Sequence, residues 1–133
     1  MVDMRKREIL TREDVGVLVG SFYAKVREND FIGPFFNQTI HDWEHHLEKL
    51  TDFWTGNLLG IPLYKGRPPM EHIKLDYAFG HSITPAHFGE WLNLWIQTLD
   101  EGFTGEKVEI AKDHARNLAH FFMTRILQAR PGG

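Results

Sequence analysis

The sequence predicts an all-α protein of one domain. Two observations carry this expectation. Four segments repeat apolar residues at steps of three and four, and no segment sustains the apolar–polar alternation of a strand. Length sets the domain count, because 133 residues suit one core. A chain of this size buries about two-thirds of the surface its unfolded form exposes, so it needs no covalent staple.

The first helix is expected from Thr11, with Asp14 three residues on as an approximate capping box, and it should close near Asn29-Asp30. Val15, Leu18, Phe22 and Val26 form its inner stripe. Phe31-Ile32-Gly33-Pro34-Phe35-Phe36 follows as an aromatic turn, since Gly33 and Pro34 oppose a long helix. A second helix starts after the N-cap residue Asp42, with Trp43, Leu47, Leu50, Trp54 and Leu58 as its main stripe. The adjoining stripe of His46, Leu50, Phe53 and Asn57 widens that face, so it should touch more than one neighbour. From Gly60 to Ile83 the prolines and glycines leave room for a short helix, roughly Met70 to Tyr77. Thr84-Pro85 opens the third long helix, lined by Phe88, Trp91, Leu92, Trp95 and Leu99 and closed by Gly102 and Gly105. The fourth runs from about Glu106 to Ala129, with Ala111, Ala115, Leu118, Phe122 and Ile126 inside. Pro131-Gly132-Gly133 reads as a frayed tail.

Composition removes several function classes. The formal charge of −3 is too balanced to point to nucleic acid or an anionic membrane as partner. Without cysteine there is no disulfide, thiolate nucleophile, iron–sulfur cluster or cysteine zinc site. No window approaches the roughly 20 apolar residues of a membrane helix, and no leader-like stretch follows the charged start, so a cytoplasmic location is expected. Glycine-rich phosphate loops after a strand and G-x-S-x-G are missing. His41 and His45 have zinc-ligand spacing, but the helix cap lies between them. Asp42-Trp43-Glu44-His45 resembles half of a dimetal bundle motif and has no second copy.

What remains in excess is aromatic residues and eight histidines. An aromatic stripe is ordinarily core. Here polar groups accompany it: Tyr23 beside Phe22, His46 on the inner face of the second helix, and Trp91 central in the third. A buried hydroxyl, imidazole or indole N–H left without a partner costs about 1–3 kcal/mol. One polar ligand held among aromatic rings would satisfy all three. His72, on the short helix, could then bind the iron of a flat cofactor from the other side.

The residues that carry a family likeness are Phe22-Tyr23-Ala24-Lys25-Val26-Arg27, Gly33-Pro34-Phe35-Phe36, Trp43 with His46, and Phe53-Trp54. They continue with Tyr64-Lys65-Gly66-Arg67-Pro68, His72-Ile73-Lys74-Leu75 and His87-Phe88-Gly89-Glu90-Trp91-Leu92. In this order and at these spacings the chain resembles a truncated haemoglobin, most similar to the third group of that family. The internal Gly-Gly turns of the other groups are missing.

The resemblance implies a globin-like two-over-two helical sandwich around haem b, spanning residues 11–129. Residues 1–10 would be an N-terminal extension and 130–133 a flexible tail. It implies His72 as the proximal iron ligand, and Tyr23, Trp91 and His46 as distal residues. Phe36 would pack on the haem face, and Leu50, Phe53 and Phe88 would line the pocket. The implied activity is reversible binding of dioxygen or other diatomic ligands at a five-coordinate iron. The alternative is a peroxidase-like or nitric-oxide-dioxygenase enzyme, which would need an external reductase because the chain has no nucleotide-binding segment.

One departure bears on the ligand. Eleven residues lie between His72 and Thr84, and His81 within them is a competing ligand. His72 is preferred because it keeps the pattern of Gly66, Pro68, His72 and Leu75. The added residues, Tyr77 and Phe79 among them, are then expected in an enlarged loop beside the haem edge. Arg67, Lys74 and Tyr64 are candidates for the haem carboxylates. His45 is expected at the rim, and His87, His114 and His120 in packing or surface roles. A helical interaction module without a cofactor is the remaining reading, in which the polar groups satisfy one another.

Overall fold

The computed structural model describes residues 6–64 and 66–132. The first five residues of the charged start, Lys65 of the Tyr64–Pro68 string and Gly133 of the tail lie outside the described residues. Among the described residues six helices follow one another: α1 (Arg12–Glu28), α2 (Gly33–Asn37), α3 (Trp43–Leu59), α4 (Pro68–Ala78), α5 (Pro85–Gly102) and α6 (Glu106–Ala129).

The long helices begin where their caps put them. The Thr11 hydroxyl accepts from the Asp14 N–H, and the Asp14 carboxylate accepts from the Thr11 N–H at 2.9 Å, a complete capping box. Asp42 accepts from the His45 N–H at the start of α3. Gly60, at φ 72°, ends α3 in the left-handed conformation that costs glycine least. At α5 the box is unusual: the Thr84 N–H donates to His87 Nδ1 at 2.8 Å, so a histidine holds the place of the usual Glu or Gln.

Two helix pairs form the body. α1 packs on α3 and α5 on α6, and the pairs meet where α1 crosses α5 and α3 touches α6. This is the expected two-over-two sandwich. Its centre holds Val15, Leu18, Val19, Phe22 and Val26 of α1 against Trp54, Trp95, Leu99, Ala111 and Ala115. Trp54 stacks on Trp95 at 4.4 Å, and the Trp95 indole N–H donates to the Ala111 carbonyl at 3.1 Å. α2 starts tight against the end of α1, where a Cβ on Gly33 would come 2.9 Å from the Val26 carbonyl oxygen.

Several expectations are corrected. Two short strands exist among the described residues: β1 (Arg7–Glu8) pairs in parallel with β2 (Phe103–Thr104). At two residues each they are too short for a periodic signal. Ile9, directly after β1, is fully buried. The main stripe of α3 also divides. Trp54 and Leu58 are buried with Thr51 and Thr55, whereas Trp43, Leu47 and Leu50 are only half-buried. Each threonine hydroxyl donates to the carbonyl four residues back, at 2.7 and 2.6 Å, which removes the cost of burying it. Finally, α4 begins at Pro68, where two prolines fit the first turn, and it runs on to Ala78. Tyr77 is therefore helical and exposed, not part of a loop, and only a short link from Phe79 to Thr84 remains.

Candidate functional site

Of the half-buried stripe of α3, Leu50 borders a cavity. The cavity, of about 230 Å³, lies between α1, α2, α3, α4, α5 and α6. All eight candidate site residues line it: Tyr23, Phe36, His46, Leu50, Phe53, His72, Phe88 and Trp91.

One wall comes from α1, α3 and α5. The Tyr23 ring, 6% exposed, meets Phe36 at 5.6 Å and His46 at 5.4 Å, both edge-on. Burial raises the Tyr23 phenol well above its ordinary pKa, so it stays a neutral O–H donor. Trp43 touches both Tyr23 and His46, and Arg27 lies over its outer face at 4.4 Å. His46 is pushed down to about 4, first by burial and then by the nearby Lys49 charge. It is a neutral imidazole at pH 7, and its Nε2 is buried with no partner among the described residues. Trp91 stacks parallel to Trp95, 6.4 Å away. The two tryptophans differ in one respect: Trp95 donates its N–H within the core, and Trp91 borders the cavity.

The other wall comes from α4 and α6. The His72 ring stacks on Phe122 at 4.3 Å and lies 5.9 Å from Phe88. Its Nδ1 is 2.6 Å from the Pro68 carbonyl oxygen. A carbonyl only accepts, so Nδ1 carries the proton and Nε2 holds the lone pair. Burial also lowers the His72 pKa, which keeps the imidazole neutral. A neutral ring with a fixed tautomer and a free Nε2 lone pair is what a metal requires of histidine.

His81 stands elsewhere. It does not line the cavity, its backbone is left-handed at φ 59°, and its Nδ1 lies 3.1 Å from Asp76 Oδ2. His41, His45 and His120 are exposed, while His114 is half-buried with its Nδ1 unpartnered among the described residues. His87 packs face to face on Phe31 at 4.3 Å and borders the cavity. Of the three residues suggested for carboxylates, Tyr64 lines the cavity and Arg67 and Lys74 do not. Lys49, not among the residues expected from sequence, does line it and pairs with Glu71 at 3.5 Å. Its spacing carries a signal, three residues after His46 and so on the same helix face.

The cavity is mostly apolar and rich in aromatic rings, and His72, His46, Tyr23 and Trp91 bring imidazole, phenol and indole groups to it. That donor set fits an iron porphyrin, and the orphaned His46 Nε2 fits a polar guest.

Residues 8–126 match the Bacterial-like globin family. The chain belongs to that family. Among curated relatives, this globin is 31% identical to the Group 3 truncated hemoglobin ctb of Campylobacter jejuni, over 91% of this chain and 94% of that one. Among solved structures, it superposes on the group III truncated hemoglobin of Campylobacter jejuni with a TM-score of 0.80 and 30% identity. That match covers 96% of this chain and 98% of the other. The 2/2 hemoglobin from Synechococcus sp. PCC 7002, described with covalently attached heme, shares the fold at a TM-score of 0.69 and 22% identity, over 88% of this globin and 92% of that chain. This globin is thus a haem-binding protein of the truncated, two-over-two type. No helix among the described residues is long and apolar enough to cross a membrane.

Proposed function

We propose that this globin holds haem b in the cavity and reversibly binds dioxygen or another diatomic ligand there. The observation that supports it is the division of the cavity walls, with a lone-pair imidazole nitrogen on one and the buried Tyr23 and half-buried Trp91 on the other. When bound, haem supplies an iron that takes one imidazole and leaves a position open to a small ligand.

In this reading the His72 Nε2 lone pair is the proximal ligand, with the Pro68 carbonyl holding the ring in the required tautomer. The Tyr23 O–H and the Trp91 N–H donate to the ligand's partial negative charge. Tyr23 is buried and Trp91 half-buried among aromatic rings, where a hydrogen bond is electrostatically stronger than in water. Phe36, Leu50, Phe53 and Phe88 exclude water. Lys49 and Tyr64 would meet the haem carboxylates, with Glu71 giving up its contact to Lys49. Optical spectra of the reduced protein with and without carbon monoxide test this directly. A Soret band that shifts on adding the gas is expected, and a chain that takes up no haem ends the reading. His72→Ala should abolish haem uptake, and His81→Ala should leave it intact.

A second reading makes the same site a peroxidase-like or nitric-oxide-consuming enzyme served by an external reductase. The observation that favours it is His46, a neutral base with an unpartnered Nε2 beside the Tyr23 ring. Peroxide turnover above that of free haem, altered by Tyr23→Phe and Trp91→Phe, would support it; a rate equal to free haem would remove it.

A further inference from the structure

The helix that bears His72 is anchored in an unexpected way. Only one residue of α4 is buried, and it is a carboxylate, Asp76, 2% exposed. Ile73 and Leu75 are half-buried, and α6 is the principal neighbour of α4. Pro68, His72 and Asp76 are four apart and share one face. Along that face Pro68 accepts the His72 proton, Phe122 carries the His72 ring, and Arg130 meets Asp76.

Around Asp76 every acceptor position is engaged. Oδ1 accepts from Arg130 Nη2 at 2.8 Å and from the Ile83 N–H at 3.1 Å. Oδ2 accepts from Arg130 Nε at 3.0 Å and lies 3.1 Å from His81 Nδ1. Arg130 Nη2 also reaches the Ile83 carbonyl at 2.5 Å. Burial alone would raise the Asp76 pKa, but Arg130, His81 and the Ile83 N–H hold it below the ordinary value. The carboxylate is thus charged and saturated. It joins the end of α4, the link to α5 and the C-cap of α6 at one point.

A buried ion pair is a weak source of stability, because desolvation offsets much of its attraction; what it can supply is registry. A bidentate Arg–carboxylate fork has one geometry, whereas apolar packing on Phe122 would tolerate sliding and rotation. We propose that Asp76 and Arg130 are positioning residues that set the tilt and height of the His72 ring, so that a change in their geometry is read at the iron. The proposal rests on His72 being the proximal ligand. It also removes Arg130 from the tail and gives it a place in the proximal architecture.

The test uses the ferrous, haem-loaded protein and reads the iron–histidine stretching band by resonance Raman. Asp76→Asn keeps the size and one acceptor, and Arg130→Lys keeps the charge but loses the fork. Val19→Ala, in the α1 core away from α4, is the control for stability loss. Both clamp variants should shift and broaden the band, while the control should leave it unmoved at a comparable drop in melting temperature. In the haem-free protein, amide exchange in α4 should accelerate at least tenfold in the clamp variants, with α1 and α5 protected as before. If the band of Arg130→Lys, the milder change, coincides with that of the unmutated protein, the clamp is only structural and the proposal is overturned. Absence of the band from the unmutated protein would overturn the His72 reading, and the clamp with it.

Discussion

The two walls of the cavity are built on different physics. Tyr23, His46 and Trp91 project from helices whose inner faces form the deepest part of the core, where Phe22, Trp54 and Trp95 interlock. His72 projects from a helix that buries one residue, held by Phe122 and an ion pair. Close packing resists any change of position, because a displaced ring either overlaps its neighbours or opens a void. An ion pair constrains direction but little volume. The donor wall is therefore expected to be held by many close contacts, and the His72 wall by a few directional ones that fix its orientation.

The walls can be perturbed singly or together. The largest effect belongs to His72→Ala, which should eliminate haem uptake in a Soret titration; full uptake would mean that the ligand stands elsewhere. Trp95→Ala strikes the base of the donor wall, removing a stacked ring and the bond to Ala111. It should cost about 3–5 kcal/mol in denaturant unfolding. A loss below about 1 kcal/mol would show that the donor wall does not depend on this core.

Acid acts on both walls in the haem-free protein. Burial lowers the proton affinity of His46, His72 and His87, so the unfolded chain takes up these protons first. Stability is then complete above the unfolded histidine value of about 6.5 and falls as pH drops through it, continuing for His46 to about 4. His87→Gln retains a capping-box acceptor and removes one of the three sites, so its pH slope should be shallower. Equal slopes would dissociate His87 from the effect.

The smallest effects are those of Tyr23→Phe and Trp91→Phe. Each removes one donor worth about 1 kcal/mol, or about fivefold in ligand release by flash photolysis. Unchanged release in both would leave the donor wall without a role in retention.

Much of this was readable along the chain because it is local. The α1 cap at Thr11, the Asp42 start of α3, the Thr84-Pro85 start of α5 and the extent of α6 depend on neighbours three or four residues away. So do the stripes that set Tyr23 beside Phe22 and His46 beside Leu50. Less readable were groups whose meaning depends on distant segments. Asp76 looks like an ordinary surface carboxylate, and Arg130 like part of a tail, until 54 residues of separation are closed. Thr51 and Thr55 break an apolar pattern, yet are buried because their hydroxyls turn back on the helix. Lys49 is one of many surface lysines until the cavity is seen beside it.

Sequence alone determined the helical class and the starts of the long helices, since periodicity and capping are properties of short stretches, while the proposed pocket residues followed from the likeness to truncated haemoglobins. Tertiary structure decided that His46, His72 and His87 line the cavity and His81 does not, that Trp95 donates its N–H within the core, and what holds α4 in place. Those depend on meetings between segments far apart in the chain, and only folding brings the two ends of such a pair within about 3 Å, the reach of a hydrogen bond.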